Sequence, residues 1–279
     1  MDRKYNEKIR FAFALHLQST LDRVSKDHMI VHPNLNNVRK HLKAEFQVAM
    51  DLSSIIEEEQ GVEIPFDEIG FMGLANSYPS ALLIAFITPF LWFFGLHGAN
   101  MIDPFLQTIN APAIEANLAA VTAGKAAPYI VNKPFIDSFV NLGGTGATFG
   151  LIIAIILVGR KHKAYNVVNN LSMAPGLFNI NEPMLFGLPI VLNPIMFIPF
   201  ILAPMTLVTT AYWATRLGLV PVATVMPPWV TPPILGGFLA TQSFSGAILA
   251  AVNLVISVAI YAPFVRIGVL QELKREQSL

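Results

Sequence analysis

The sequence has no cysteine and little charge. Asp, Glu, Lys and Arg make up 13% of its 279 residues, whereas ordinary soluble domains contain about 25%. Without cysteine, neither a disulfide framework nor a thiolate site can form. The N-terminal residues are charged and lack the apolar core of a signal peptide, so we do not expect export of the N-terminus.

Motifs of soluble catalysis and of nucleic-acid binding are also absent. The sequence has no Walker loop, HExxH pair or Ser-His-Asp arrangement, and "GGTGATFG" at 143–150 lacks the spacing and strand context of a dinucleotide loop. No basic stretch is interleaved with aromatic residues in the manner of nucleic-acid binders. We therefore expect no catalytic residue, no metal, no cofactor and no direct nucleic-acid contact.

The charges are unevenly distributed along the chain. Residues 1–72 carry 9 Lys and Arg and 12 Asp and Glu, whereas residues 73–279 carry only 9 and 6. Such a shift marks two physical environments, with a boundary near Met72–Asn76. The sequence predicts a small soluble helical segment at 1–72 and a membrane domain at 73–279.

The N-terminal segment has the periodicity of amphipathic helices. In "EKIRFAFALHLQSTLDRV", at 7–24, apolar side chains recur at helical spacing, and a second helix is expected over 38–60. His16 is the candidate for chemistry in this segment. The alternative is an ordinary surface histidine on a helix.

Long tracts with little or no charge dominate the rest of the chain. Ser80–Met101 and Ile136–Gly159 are each long enough to cross a bilayer as one helix, which takes roughly 20 residues. Residues 164–215 and 217–265 contain no Lys, Arg or Asp and only one acid, Glu182. These two tracts are expected to contain several membrane segments.

Recurrent prolines in the last two tracts predict interruptions. Proline removes a backbone donor and disfavours helix at the residue before it, and broken backbone survives in lipid only beside protein or a water-filled cavity. We therefore predict re-entrant hairpins or broken helices at Ser172–Leu188 and Pro221–Gly237. The fold class expected is all-α, a polytopic helical membrane protein with a small soluble helical segment in front.

The positions of Lys and Arg predict the orientation. Clusters near the ends of membrane segments usually lie on the cytoplasmic side. Two clusters flank the predicted segments, one at Arg160, Lys161 and Lys163 and one at Arg266, Lys274 and Arg275. We expect both clusters, and both chain termini, to be cytoplasmic.

Glu182 is the strongest candidate for function, because an ionisable group at membrane depth is costly unless it faces a partner or a cavity. Asn179 and Asn181 flank it, so a cluster of amide and carboxylate groups could bind hydroxyls. The alternative is a structural carboxylate satisfied by nearby backbone N–H groups.

Three aromatic residues are weaker candidates. His97 follows an apolar run and stands between glycines in "GLHG", where it could bind a ligand or simply end a helix. Trp92 and Trp229 could stack on a sugar ring or anchor the chain at the membrane interface.

Residues 77–266 resemble the membrane subunit, enzyme IIC, of the lactose and cellobiose class of the bacterial sugar phosphotransferase system. The matching stretches are "FLWFFGLHGAN", "GGTGATFGL", "APGLFNINEPMLFGLPIVLNP" and "MPPWVTPP". This resemblance implies import of a disaccharide and its phosphorylation by a IIB partner. It also implies a IIA subunit as a further partner. It implies sugar binding by residues of these stretches: Glu182, His97, Trp92, Trp229, Asn181 and Asn100.

Residues 8–72 resemble the regulation domain, or PRD, of regulators controlled by the same system. The matching stretches are "FALHLQSTLDR" and a long stretch from His32 to Met72. His16 falls at the first phosphorylatable histidine, which implies phosphorylation through the phosphocarrier protein. The second such histidine is replaced where the membrane sequence begins, so the domain is incomplete.

The resemblance leaves three hypotheses. The first is a disaccharide permease subunit in the bacterial cell membrane. Its family is homodimeric through an N-terminal half that has no counterpart here, so activity is expected to be reduced or lost. The second is a membrane-tethered regulator phosphorylated on histidine, and the third is a non-functional gene fusion.

Overall fold

The structure, a computed structural model, describes residues 76–188 and 190–278 together with five isolated positions. Those five positions, between 39 and 50, are helical. His16 and nearly all of the N-terminal segment therefore lie outside the described residues. Two compact units are present, one formed by the described residues of Met1–Ala81 and Asp103–Lys133 and the other by Leu82–Ile102 and Pro134–Leu279.

All regular structure in the described part of the chain is helical, which confirms the predicted all-α class. The helices are α1 Tyr78–Phe93, α2 Gly98–Thr122, α3 Lys133–Phe139, α4 Thr148–Ala154 with a π-helical continuation Ile155–Gly159, α5 Lys163–Leu177, α6 Glu182–Gly187, α7 Pro194–Arg216, α8 Pro233–Thr241 and α9 Phe244–Gln277. Among them, α7 and α9 are long and apolar enough to cross a bilayer.

The predicted breaks near the prolines are confirmed. The tract Ser172–Leu188 contains the end of α5, a short turn and the six-residue helix α6. The tract Pro221–Gly237 is non-helical until α8 begins at Pro233. In both places the chain changes direction instead of continuing as one helix.

The prediction of one continuous span over Ser80–Met101 is wrong, because α1 ends at Phe93. Gly95 adopts a left-handed φ of 81°, and the N–H groups of Gly95 and Leu96 donate to the carbonyls of Trp92 and Leu91. This is a Schellman motif, in which a glycine ends a helix and satisfies its last carbonyls.

The prediction of a continuous span over Ile136–Gly159 is also wrong. Between α3 and α4 the chain forms a loop in which Gly143, Gly144, Gly146 and Ala147 all have positive φ. A side chain at Gly146 would overlap the ring of Phe200. The glycines therefore serve a tight, buried turn, which we call the glycine loop, residues 143–147.

Helix α9 holds the glycine loop in place. The Tyr261 hydroxyl donates to the carbonyl of Gly146 over 2.6 Å, and the Ser257 hydroxyl donates to that of Ala147 over 3.0 Å. Both side chains are fully buried. Buried backbone carbonyls need such partners, so the two hydroxyls of α9 fix the position of the loop.

Helix α5 buries several polar side chains, whereas its exposed residues include large apolar ones beside Lys163 and Asn170. Its buried residues are Tyr165, Asn169, Ser172 and Gly176. The large exposed ones are Val167, Leu171, Met173 and Leu177. This pattern is the reverse of a water-soluble helix, and it is the arrangement expected of a helix whose outer face meets lipid.

Candidate functional site

His97 caps the N-terminus of α2. Its Nδ1 accepts a hydrogen bond of 3.1 Å from the backbone N–H of Asn100, three residues on, as N-cap side chains do. Gly98 allows α2 to start against α1, because a side chain there would overlap the carbonyl of Thr88. Since Nδ1 is the acceptor, the ring proton of the neutral imidazole is on Nε2.

Glu182 is the first residue of α6 and lies beside His97. Its Oε1 is 3.4 Å from His97 Nε2. The two side chains are 43% and 37% exposed, so both remain accessible to a ligand. Glu182 is thus a partly exposed carboxylate at the start of α6.

Trp92 lies behind the histidine. Its ring centroid is 4.3 Å from that of His97 and 6.2 Å from that of Phe186 in α6. Only 3% of Trp92 is exposed, so most of its surface contacts protein. The structure thus brings Trp92, His97 and Glu182 together, with Trp92 as the buried support of the histidine ring.

Asn181 and Asn100, the two candidate asparagines, each take part in a hydrogen bond that involves a backbone group. Asn181 is buried, and its Nδ2 donates to the carbonyl of Thr145 in the glycine loop over 2.9 Å. Asn100 contributes its backbone N–H to the cap of α2, while its side chain is exposed. Asn181 thereby fixes the segment from which α6 and Glu182 begin.

Trp229 lies on the proline-rich loop before α8 and is 62% exposed. Its carbonyl accepts a hydrogen bond of 2.7 Å from Asn179 Nδ2. Sequence reasoning treated Asn179 as a group for binding hydroxyls and did not foresee this connection. The sequence offers one clue to a structural role for Asn179. The residue follows the end of a helix, where asparagine sometimes adopts left-handed backbone.

The pair formed by His97 and Glu182 is complementary to a hydroxyl group. The Nε2–H is a donor, the carboxylate is an acceptor, and a hydroxyl can accept from the first while it donates to the second. Hydrogen bonds to an ionised group are roughly twice as strong as neutral ones. The site therefore suits a neutral, hydroxyl-rich ligand, and its negative charge disfavours anions.

Comparison with known proteins identifies the family. A sequence model described as "Phosphotransferase system, EIIC" matches residues 52–204, more than half of the chain. The chain therefore belongs to the EIIC family. A second model, "PRD domain", matches residues 1–75, and the two matches overlap at 52–75.

Individual relatives agree with this family. The chain is 42% identical over 198 residues to the "PTS system oligo-beta-mannoside-specific EIIC component" of Bacillus subtilis, covering 70% of this chain and 44% of the relative. It is 40% identical over 219 residues to the "PTS system cellobiose-specific EIIC component" of Lactococcus lactis, with the same two coverages.

A solved structure is also similar. It is titled "Crystal structure of the transporter ChbC, the IIC component from the N,N'-diacetylchitobiose-specific phosphotransferase system", and it matches with a TM-score of 0.72 and 32% identity, over 80% of this chain and 53% of that one. The chain thus spans about half the length of the relatives it matches.

Proposed function

We propose that this chain is the sugar-binding part of a phosphotransferase-system permease. It binds a neutral disaccharide of the cellobiose, lactose or chitobiose type and translocates it for phosphorylation by a IIB partner. A IIA subunit is the further partner that supplies IIB with the phosphoryl group. The contact of 3.4 Å between His97 Nε2 and Glu182 Oε1 is the observation that carries this proposal. The names of the relatives supply the substrate class.

In this proposal one sugar hydroxyl displaces the direct contact between His97 and Glu182 and bonds to both of them. Trp92 holds the histidine ring, and Trp229 covers a sugar face. Asn181 and Asn100 support the two helix starts. After phosphorylation the sugar carries a negatively charged group, which the Glu182 carboxylate repels. The same charge that orients the neutral substrate therefore promotes release of the product.

We further propose that the chain is a multi-pass protein of the bacterial cell membrane with cytoplasmic termini. His162 Nε2, in the loop with Arg160 and Lys161, lies 3.2 Å from Glu276 Oε1 near the end of α9. The two basic clusters are thus close together, as expected if both lie on the cytoplasmic side. The proposal also includes two domains, a PRD-like segment at residues 1–72 and a membrane domain at residues 73–279.

A second candidate function is favoured by the PRD match at 1–75. In it, the chain is a membrane-tethered regulator, and the phosphocarrier protein phosphorylates His16. A phosphorylation assay with the purified phosphocarrier relay, comparing the wild type with His16→Ala, tests this role. Incorporation that disappears in the variant supports regulation, and equal labelling of both proteins contradicts it.

The test of the permease role is calorimetric titration of the purified full chain in detergent. Cellobiose, lactose and diacetylchitobiose are each compared with their phosphate esters. We expect saturable binding of at least one neutral disaccharide and much weaker binding of its ester. Absence of binding by all three sugars to folded protein would contradict the proposal and favour a non-functional fusion.

A further inference from the structure

Asn179 ends α5 in the position that glycine occupies at the ends of three other helices. Its φ is 63°, and the N–H groups of Asn179 and Ile180 donate to the carbonyls of Gly176 and Pro175, which is a Schellman motif. The equivalent positions at the ends of α1, α2 and α7 are Gly95, Gly124 and Gly218, all with positive φ. Glycine adopts this conformation without strain, so the asparagine needs another reason.

The side-chain amide of Asn179 joins three loops that are distant in the sequence. Its Oδ1 accepts from the N–H of Gly143 over 2.9 Å. Its Nδ2 donates to the carbonyl of Trp229 over 2.7 Å and to that of Thr231 over 2.9 Å. Both donor hydrogens of the amide are therefore used, and none is left for a ligand.

The loop that carries Trp229 depends on such an outside donor. Four of the eight residues in "MPPWVTPP" at 226–233 are prolines, which have no backbone N–H. Thr231 directs its N–H and its hydroxyl inward, to the carbonyl of Pro228. The carbonyls of Trp229 and Thr231 accept instead from the side chain of Asn179, which lies outside the loop.

We propose that Asn179 is a positioning residue that sets Trp229 relative to Glu182. The amide connects the carbonyls of the Trp229 loop to the glycine loop. Asn179 itself lies two residues before Asn181 and three before Glu182. Glycine at position 179 would preserve the helix end but release the Trp229 loop. The effect on ligand binding rests on the proposed sugar site, whereas the effect on the loop does not.

Two variants separate the helix-ending role from the positioning role. Asn179→Gly keeps the left-handed backbone and removes the amide. Asn179→Asp keeps the acceptor for Gly143 and replaces both donors with an oxygen that faces two carbonyls. We expect either variant to weaken disaccharide binding roughly tenfold, because Trp229 is no longer held in place. Asn179→Gly also leaves the buried N–H of Gly143 without its partner, so its melting temperature should fall.

The first readout needs no sugar. The chain has three tryptophans, Trp92, Trp213 and Trp229, so fluorine NMR of fluorotryptophan-labelled protein gives three resonances, with that of Trp229 assigned by Trp229→Phe. Both Asn179 variants should shift or broaden the Trp229 resonance and leave that of Trp213 unchanged. An unaltered Trp229 resonance in both variants would overturn the proposal, whatever the outcome for sugar binding.

The second readout is a double-mutant cycle on disaccharide affinity. If Asn179 acts through Trp229, Asn179→Gly should weaken binding roughly tenfold in the native background and hardly at all when Trp229→Phe is already present. An equal loss in both backgrounds would overturn the positioning role. If the unsubstituted chain binds no sugar, the proposed function fails while the NMR readout still decides the role of Asn179.

Discussion

His97 Nε2 lies 3.4 Å from Glu182 Oε1, and the opposite nitrogen of the same ring accepts the backbone N–H of Asn100. The histidine therefore takes part in two places, the start of α2 and the proposed ligand site. The cap holds the ring with its Nε2 beside the carboxylate. The site depends on this coupling between a helix end and a charged side chain.

Substitutions of His97 separate its two roles. His97→Ala removes the cap and should lower the free energy of unfolding by about 0.5–2 kcal/mol. His97→Asn restores a capping side chain but has no donor at the Nε2 position, so stability should stay near the wild-type value while disaccharide affinity falls. Thermal unfolding and calorimetry of both variants measure this. Full affinity in His97→Asn would show that the ring donor is not used.

The glycine loop should be sensitive to any side chain at Gly146. A left-handed φ costs an ordinary residue about 1–2 kcal/mol, and Gly146→Ala adds a clash with Phe200, for which overpacking costs about 1–3 kcal/mol more. Gly218 is the matched control, since it also has a positive φ but has open space around it. In thermal unfolding, Gly146→Ala should lose more stability than Gly218→Ala. Equal losses would show that Phe200 moves aside.

The absence of cysteine makes the orientation testable by labelling. Lys161→Cys and Gln277→Cys each introduce one exposed thiol, in the basic loop and at the end of α9. A membrane-impermeant maleimide should modify both in inverted vesicles and neither in intact cells. The unsubstituted chain gives the background, and labelling of either thiol from outside would refute the cytoplasmic orientation.

Apolar tracts and prolines predicted much of this fold. They placed several membrane segments within 164–215 and 217–265, where α7 and α9 lie, and they located the interruptions around α6 and α8, because proline removes a backbone donor. They did not predict that α7 continues through Pro199 and Pro204. The two broken spans were missed for a different reason. Glycine is common both in packed membrane helices and in left-handed turns, and Gly143–Gly146 belong to the second kind.

The candidate site was partly predictable. The isolation of Glu182 in an uncharged tract singled it out, and the family resemblance paired it with His97. The role of Asn179 could not be read from the sequence, because its partners lie 36, 50 and 52 residues away. Only the folded chain shows that both donors of its amide are already engaged, so that none is left for a ligand hydroxyl.

The most direct test of the sugar site is titration of a disaccharide into Glu182→Gln. Gln keeps the size of the side chain but removes the charge, and hydrogen bonds to a charged group contribute about 1.5–3 kcal/mol. We expect the affinity to fall tenfold or more, with an unchanged melting temperature and gel-filtration profile. Glu115→Gln, in α2 and outside the site, should bind as the wild type does. Unchanged affinity in well-folded Glu182→Gln would contradict the account and remove Glu182 from the site.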